Sequence, residues 1–87
     1  MLPAAIAAIL ENAPLSDEKV AFAWRTAVGP AVAKVSTVEL RGRVLHVTVR
    51  DARWQREVEH SAGIIRSRLE SMLGEGIVRS IDVGVQQ

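Results

Sequence analysis

Few side chains in this sequence could do covalent or metal chemistry. The histidines are His46 and His60, and there is no cysteine. A nucleophilic site needs a Ser, Thr or Cys beside a base that a third group holds in place. His46 falls in an apolar, strand-like run and His60 in a helix-like one, and neither has an evident acidic group held against it. As a metal pair the two histidines lack a third ligand. The glycines of "LGEGI", residues 73–77, lack the lysine and Ser/Thr of a phosphate loop and the three spaced glycines of a dinucleotide fold. They are better explained as a helix stop and a turn. These residues argue against catalysis, a metal and a cofactor, and the chain is expected not to be an enzyme.

Recognition chemistry is better represented. Residues 40–59, "LRGRVLHVTVRDARWQREVE", hold Arg41, Arg43, Arg50, Arg53 and Arg56. Residues 1–40 carry three basic and four acidic side chains, net −1; residues 41–56 carry five arginines against Asp51, net +4; residues 57–87 carry three basic and five acidic, net −2. Positive charge is therefore local in a chain of formal net charge +1. A local basic patch suits phosphate or an acidic protein surface. The plainer explanation is that the arginines solvate a hairpin and a helix start. Trp54 lies between Arg53 and Arg56, where a helix N-terminus adds free N–H groups and partial positive charge. Arg53, Arg56 and His60 fall on one strip of that helix. Both tryptophans occupy apolar stripes, so core packing is the first reading of each, and Trp54 differs in sitting in the first turn of its helix next to Arg53 and Arg56.

These residues need elements to position them. Pro3 suits a helix start, and Leu2, Ile6, Ile9 and Leu10 make a one-sided stripe that Asn12 and Pro14 end. Ser16 can cap a second helix, with Asp17 and Glu18 in its first turn. Val20, Ala23, Trp24, Ala27, Val28 and Ala31 line its apolar face, and Gly29-Pro30 predicts a break before a last turn through Lys34. "STVELRG" and "RVLHVTVR" read as a hairpin around Arg41-Gly42. A loop of those two residues pairs Val38 with Leu45 and Ser36 with Val47. It turns Val38, Leu45, Val47 and Val49 to one face, and Thr37, Glu39, Val44, His46 and Thr48 to the other. Asp51 can cap a third helix, whose stripe of Ala52, Trp54, Val58, Ala62, Ile65, Leu69, Met72 and Leu73 implies one rod of about 23 residues. Gly74 and Gly76 end it. "IVRSIDVGV" supplies a third strand with Ile81, Val83 and Val85 facing the core. The expected fold is a two-layer α+β domain, α-α-β-β-α-β, with a three-stranded sheet covered by helices.

Length allows one domain, residues 1–87, burying roughly 60–65% of its unfolded surface. The apolar start has no basic leader and falls short of the ~20 residues a membrane span needs, so a cytoplasmic protein without membrane association is expected. RNA-recognition sheets display aromatics on the open face, and single-strand binders stack bases on them. Here the aromatics are Phe22, Trp24 and Trp54, none of them on that face.

The ordered set "AWRTAVGPAVAKVSTVEL", "GRVLHVTVRDARWQREVE" and "LESMLGEGIVRSIDVGV" resembles the DciA family over about residues 16–84. The shared pattern is Trp24 with Val28-Gly29, a Gly42 turn before "VLHVTV", Trp54 just inside the next helix, Leu73-Gly74, and a strand around Ile81. The resemblance implies a K-homology-like fold and a non-enzymatic role in loading or operating a DnaB-type replicative helicase, with affinity for single-stranded or forked DNA. Among the matching motif residues it gives Trp54 the best claim to function. Many members carry a basic extension, whereas this sequence ends in Val85-Gln86-Gln87. K-homology modules also clamp nucleic acid with a GxxG loop between two helices, a motif this sequence does not contain. Residues expected to contact a helicase or DNA are Arg41, Arg43, Arg50, Arg53, Trp54, Arg56 and His60. The alternatives are a K-homology-like nucleic-acid module, or a structural domain that forms a homodimer through "AAIAAIL".

Overall fold

A computed structural model describes residues 15–86. The helix expected over Leu2 to Leu10, and any pairing through "AAIAAIL", lie outside these residues. Helix α1 spans Asp17–Val28. Ser16 starts it as expected, its hydroxyl accepting the Lys19 N–H at 3.1 Å. Val20, Ala23, Trp24 and Ala27 are buried. Gly29 then turns the chain at φ +83°, a conformation that costs glycine little, and Pro30 opens the short helix α2, Pro30–Ala33. The turn rotates the face: Ala31 is exposed, contrary to expectation, and Val32 packs on the core instead.

The strands are β1, Ser36–Arg41, β2, Val44–Val49, and β3, Ser80–Val85, in the order β1-β2-β3. The hairpin register differs from the expected one. Gly42 and Arg43 form the loop, so Val38 pairs with Val47 and Ser36 with Val49. Gly42 sits at φ +61° and Arg43 at negative φ, the glycine-first pattern that suits a tight hairpin. A slip of two residues preserves side-chain alternation, so the expected faces are kept. Leu45, Val47, Val49 and Val83 are buried beneath the helices, with Val38, Leu40, Ile81 and Val85 packed against them. Strand β3 runs parallel to β2, which requires a crossover; the chain supplies it as two helices over residues 52–73.

That crossover corrects the single long helix. Helix α3, Ala52–His60, is separated from α4, Ala62–Leu73, by Ser61 at φ −98°, ψ 5°. Ser61 and Gly63, two residues apart, both hold a helix weakly, and serine with glycine is a recognised kink composition. The bend also serves packing. Helix α3 lies on β2 and β3, whereas α4 packs chiefly on α1. Val58, Ile65, Leu69, Met72 and Leu73 are buried across the bend, but Ala52 is exposed. The result is an α+β domain with a mixed three-stranded sheet covered by helices on one face.

Trp24 is a core residue, 2% exposed. Its indole N–H donates to Ser36 Oγ at 2.9 Å, and that hydroxyl donates to the Val32 carbonyl at 2.7 Å. The bonds tie α1, α2 and the start of β1 together and leave no buried donor unpaired at the ring.

Candidate interaction surface

The seven candidate residues do not form one patch. Arg41 and Arg43 sit at the β1–β2 turn, and Arg50 at the far end of β2. Arg50 lies seven steps beyond Arg43 along an extended chain, about 23 Å at ~3.3 Å per residue. Arg50 therefore stands apart from Arg41 and Arg43, and Arg53, Trp54, Arg56 and His60 follow it in the chain along α3.

The first group is built on the start of α3. The Arg50 N–H donates to the Val35 carbonyl at 3.0 Å, which holds the end of β2 against the segment entering β1. Asp51 follows as the N-cap, its Oδ1 accepting the Trp54 N–H at 3.1 Å. The cap fixes the first turn, so Trp54 is half-buried against the core while Arg53 and Arg56 stand in solvent. Arg53, Arg56 and His60 are three and four residues apart and all exposed, so they share the outer strip of α3. Glu57 shares that side of the helix, three residues before His60, yet neither forms an ion pair within 4 Å among the described residues. Arg50, Arg53 and Arg56 likewise form none among the described residues.

Gln55 is a residue that sequence reasoning missed. Its side-chain amide donates to the Val83 carbonyl at 3.0 Å and so fastens α3 to strand β3. A polar residue amid charged neighbours gives no sequence signal of that contact.

The second group is larger than expected. The Arg43 carbonyl accepts the N–H of Arg79 at 2.7 Å, which brings the start of β3 beside the hairpin turn. Arg66 reaches the same place from α4, donating from Nη1 to the Arg79 carbonyl at 3.2 Å. Arg41, Arg43, Arg66 and Arg79 thus gather at one end of the sheet. Arg41 also pairs with Glu39, Nε to Oε1 3.4 Å, but both side chains are 65% exposed and solvent screens the pair. Arg66 and Arg79 were hidden by the linear charge count, because they lie in an acidic segment and only the fold delivers them to the hairpin. Arg68, by contrast, is a structural arginine, donating to the Ala27 carbonyl at the end of α1 at 2.8 Å.

The two histidines lie on opposite sides of the sheet. His46 is on the uncovered face, with Nδ1 3.5 Å from Asp82 Oδ2. His60 is on the outer side of α3, which covers the other face. Among the described residues no group of three His, Asp or Glu is placed to hold a metal ion. No helix of the described residues is long and apolar enough to cross a membrane.

A family model described as "Dna[CI] antecedent, DciA" matches residues 2–83 of the 87. The chain belongs to the DciA family. Membership connects it with DnaB-related replication and with a family that is not a known enzyme class. No curated protein matches the chain. In this DciA-family chain the helix pair of the crossover is joined through Ser61 alone, so no glycine loop projects between α3 and α4. A K-homology style backbone clamp therefore has no counterpart at that place.

Proposed function

We propose that this DciA-family chain is a non-enzymatic adaptor of the cytoplasm that binds, or helps load, the DnaB-type replicative helicase, and that it touches DNA weakly. The observation that carries the proposal is the start of α3. Arg53 and Arg56 stand exposed in the turns that carry the half-buried Trp54, His60 continues their outer strip to the end of the helix, and Asp51 and Gln55 hold the helix in place. Arginine and tryptophan are the side chains most enriched at interface hot spots, and a pre-ordered helix loses little entropy on binding. The expected partner surface is acidic, with an apolar spot for the edge of Trp54.

The test is size exclusion of the full chain with a purified DnaB-type hexamer. Co-elution is expected, and Arg53→Glu/Arg56→Glu should abolish it while keeping the far-UV spectrum. Co-elution that survives the double substitution would remove α3 as the site. Loss of all binding to the helicase by the unsubstituted chain would remove the adaptor proposal.

The hairpin group favours a second contact, to nucleic acid. Arg41, Arg43, Arg66 and Arg79 come from three elements and converge at one end of the sheet. No aromatic lies on the open face for base stacking, so this contact would be to phosphates and insensitive to sequence.

A further inference from the structure

A groove of about 290 Å³ lies at the opposite end of the sheet from the hairpin, between Lys34 and Arg50. Its floor is made by short side chains. Thr37 and Thr48 stand directly opposite each other on β1 and β2, both exposed on the uncovered face. Gly84 is the β3 neighbour of Thr48, and with no side chain it leaves the sheet bare beside the groove. Lys34 rises from the end of α2, and Arg50 stands two residues beyond Thr48 along the same chain direction. Gln86 closes a third side, held there by its N–H donating to the Val49 carbonyl at 2.7 Å.

The groove contains donors without acceptors of charge. Among the described residues no acidic side chain lines it. Asp51, beside Arg50 in the chain, caps α3, and Glu39 leans on Arg41. Neither Lys34 nor Arg50 has an ion-pair partner within 4 Å among the described residues, and the hydroxyls of Thr37 and Thr48 make no hydrogen bond there. Ser36 belongs to the wall rather than to the donor set, because Trp24 and Val32 already use its hydroxyl. Two cationic residues, two threonines and a glutamine line this one concavity, a composition that suits an anion with oxygens on several sides. A carboxylate is planar and offers two oxygens. A phosphate is tetrahedral and meets donors from both strands and the rim.

We propose that this groove is a phosphate-binding site, taking a phosphate ester. It goes beyond the adaptor reading and does not depend on it. A free nucleotide and the backbone of a strand share this chemistry.

The experiment is an amide-shift titration of the full ¹⁵N-labelled chain at fixed ionic strength. The probes are inorganic phosphate, a nucleoside 5′-monophosphate and a single-stranded oligonucleotide, with chloride as the control. Saturable shifts are expected at Thr37, Thr48, Arg50 and the Gln86 side-chain amide. Lys34→Ala/Arg50→Ala should weaken the phosphate titration roughly tenfold or more, since it removes both cationic donors of the groove. Thr48→Val, which keeps the β-branched shape, should weaken it less. Tighter binding of the nucleotide than of inorganic phosphate, with no further gain per phosphate from the oligonucleotide, would assign the site to a free phosphate ester, and much tighter binding of the oligonucleotide would assign it to a strand. Shifts that do not saturate, that fall equally on Arg41 and Arg43, or that persist in the double variant would overturn the proposal.

Discussion

At the residue scale the two tryptophans have different jobs, and substitution should separate them. Trp24 is sealed in the core with its N–H bonded to Ser36. Trp24→Ala should cost roughly 3–5 kcal/mol in urea unfolding, the range for a deleted buried aromatic. Trp54 keeps part of its ring in solvent, so Trp54→Ala should cost clearly less while still impairing the proposed adaptor contact. Equal destabilisation by the two substitutions would show that Trp54 is a core residue after all. This difference was partly legible in the sequence: both tryptophans fall on apolar stripes, but only Trp54 has arginines on each side. The hydrogen bond from Trp24 to Ser36 was not legible, because it joins residues brought close by the Gly29 turn. Arg66 and Arg79 illustrate the same limit, since a linear count sees acidic neighbours and not the hairpin that the fold places next to them.

At the element scale the crossover decides what the molecule presents. A straight rod would carry residues 62–73 along the sheet, whereas the bend at Ser61 sends α4 to α1 and leaves α3 on β2 and β3. The apolar stripe reads as continuous because its spacing persists through the bend. Only the serine and Gly63 hint at the break, and their weak helix preference is too small a signal to stand against eight apolar positions. Gly63 has a helical backbone and open space where a Cβ would stand. Gly63→Ala should therefore stabilise the chain by roughly 0.5 kcal/mol, read as a higher urea midpoint at unchanged slope. The N-cap is a sharper test. Asp51→Ala should cost about 1 kcal/mol and fray the turn that carries Arg53 and Trp54. The hairpin shows why the faces were legible and the register was not. Alternation sets the faces, whereas the register depends on which side of Gly42 the turn closes. The positive φ of Gly42 is compatible with either choice.

At the scale of the whole molecule, positive charge stands at two ends of one sheet rather than in one patch. About 23 Å exceeds the ~8 Å screening length at physiological salt, so the two groups should act independently. If both touch the same strand of DNA, the free-energy losses of Arg41→Ala/Arg43→Ala and Arg53→Ala/Arg56→Ala should add within about 0.5 kcal/mol. Each pair should also make the salt dependence of binding shallower. Strong coupling between the pairs, measured by a double-mutant cycle in fluorescence anisotropy, would contradict two separate sites. The central claim is that the start of α3 is the adaptor's contact surface. The measurement that reaches it most directly uses a Trp24→Phe variant, in which Trp54 is the remaining tryptophan, titrated with the helicase hexamer while its emission is followed. A saturable spectral shift is expected, and it should vanish when Arg53→Glu/Arg56→Glu is added. A flat titration, or one that the charge-reversed variant follows equally, would contradict the account.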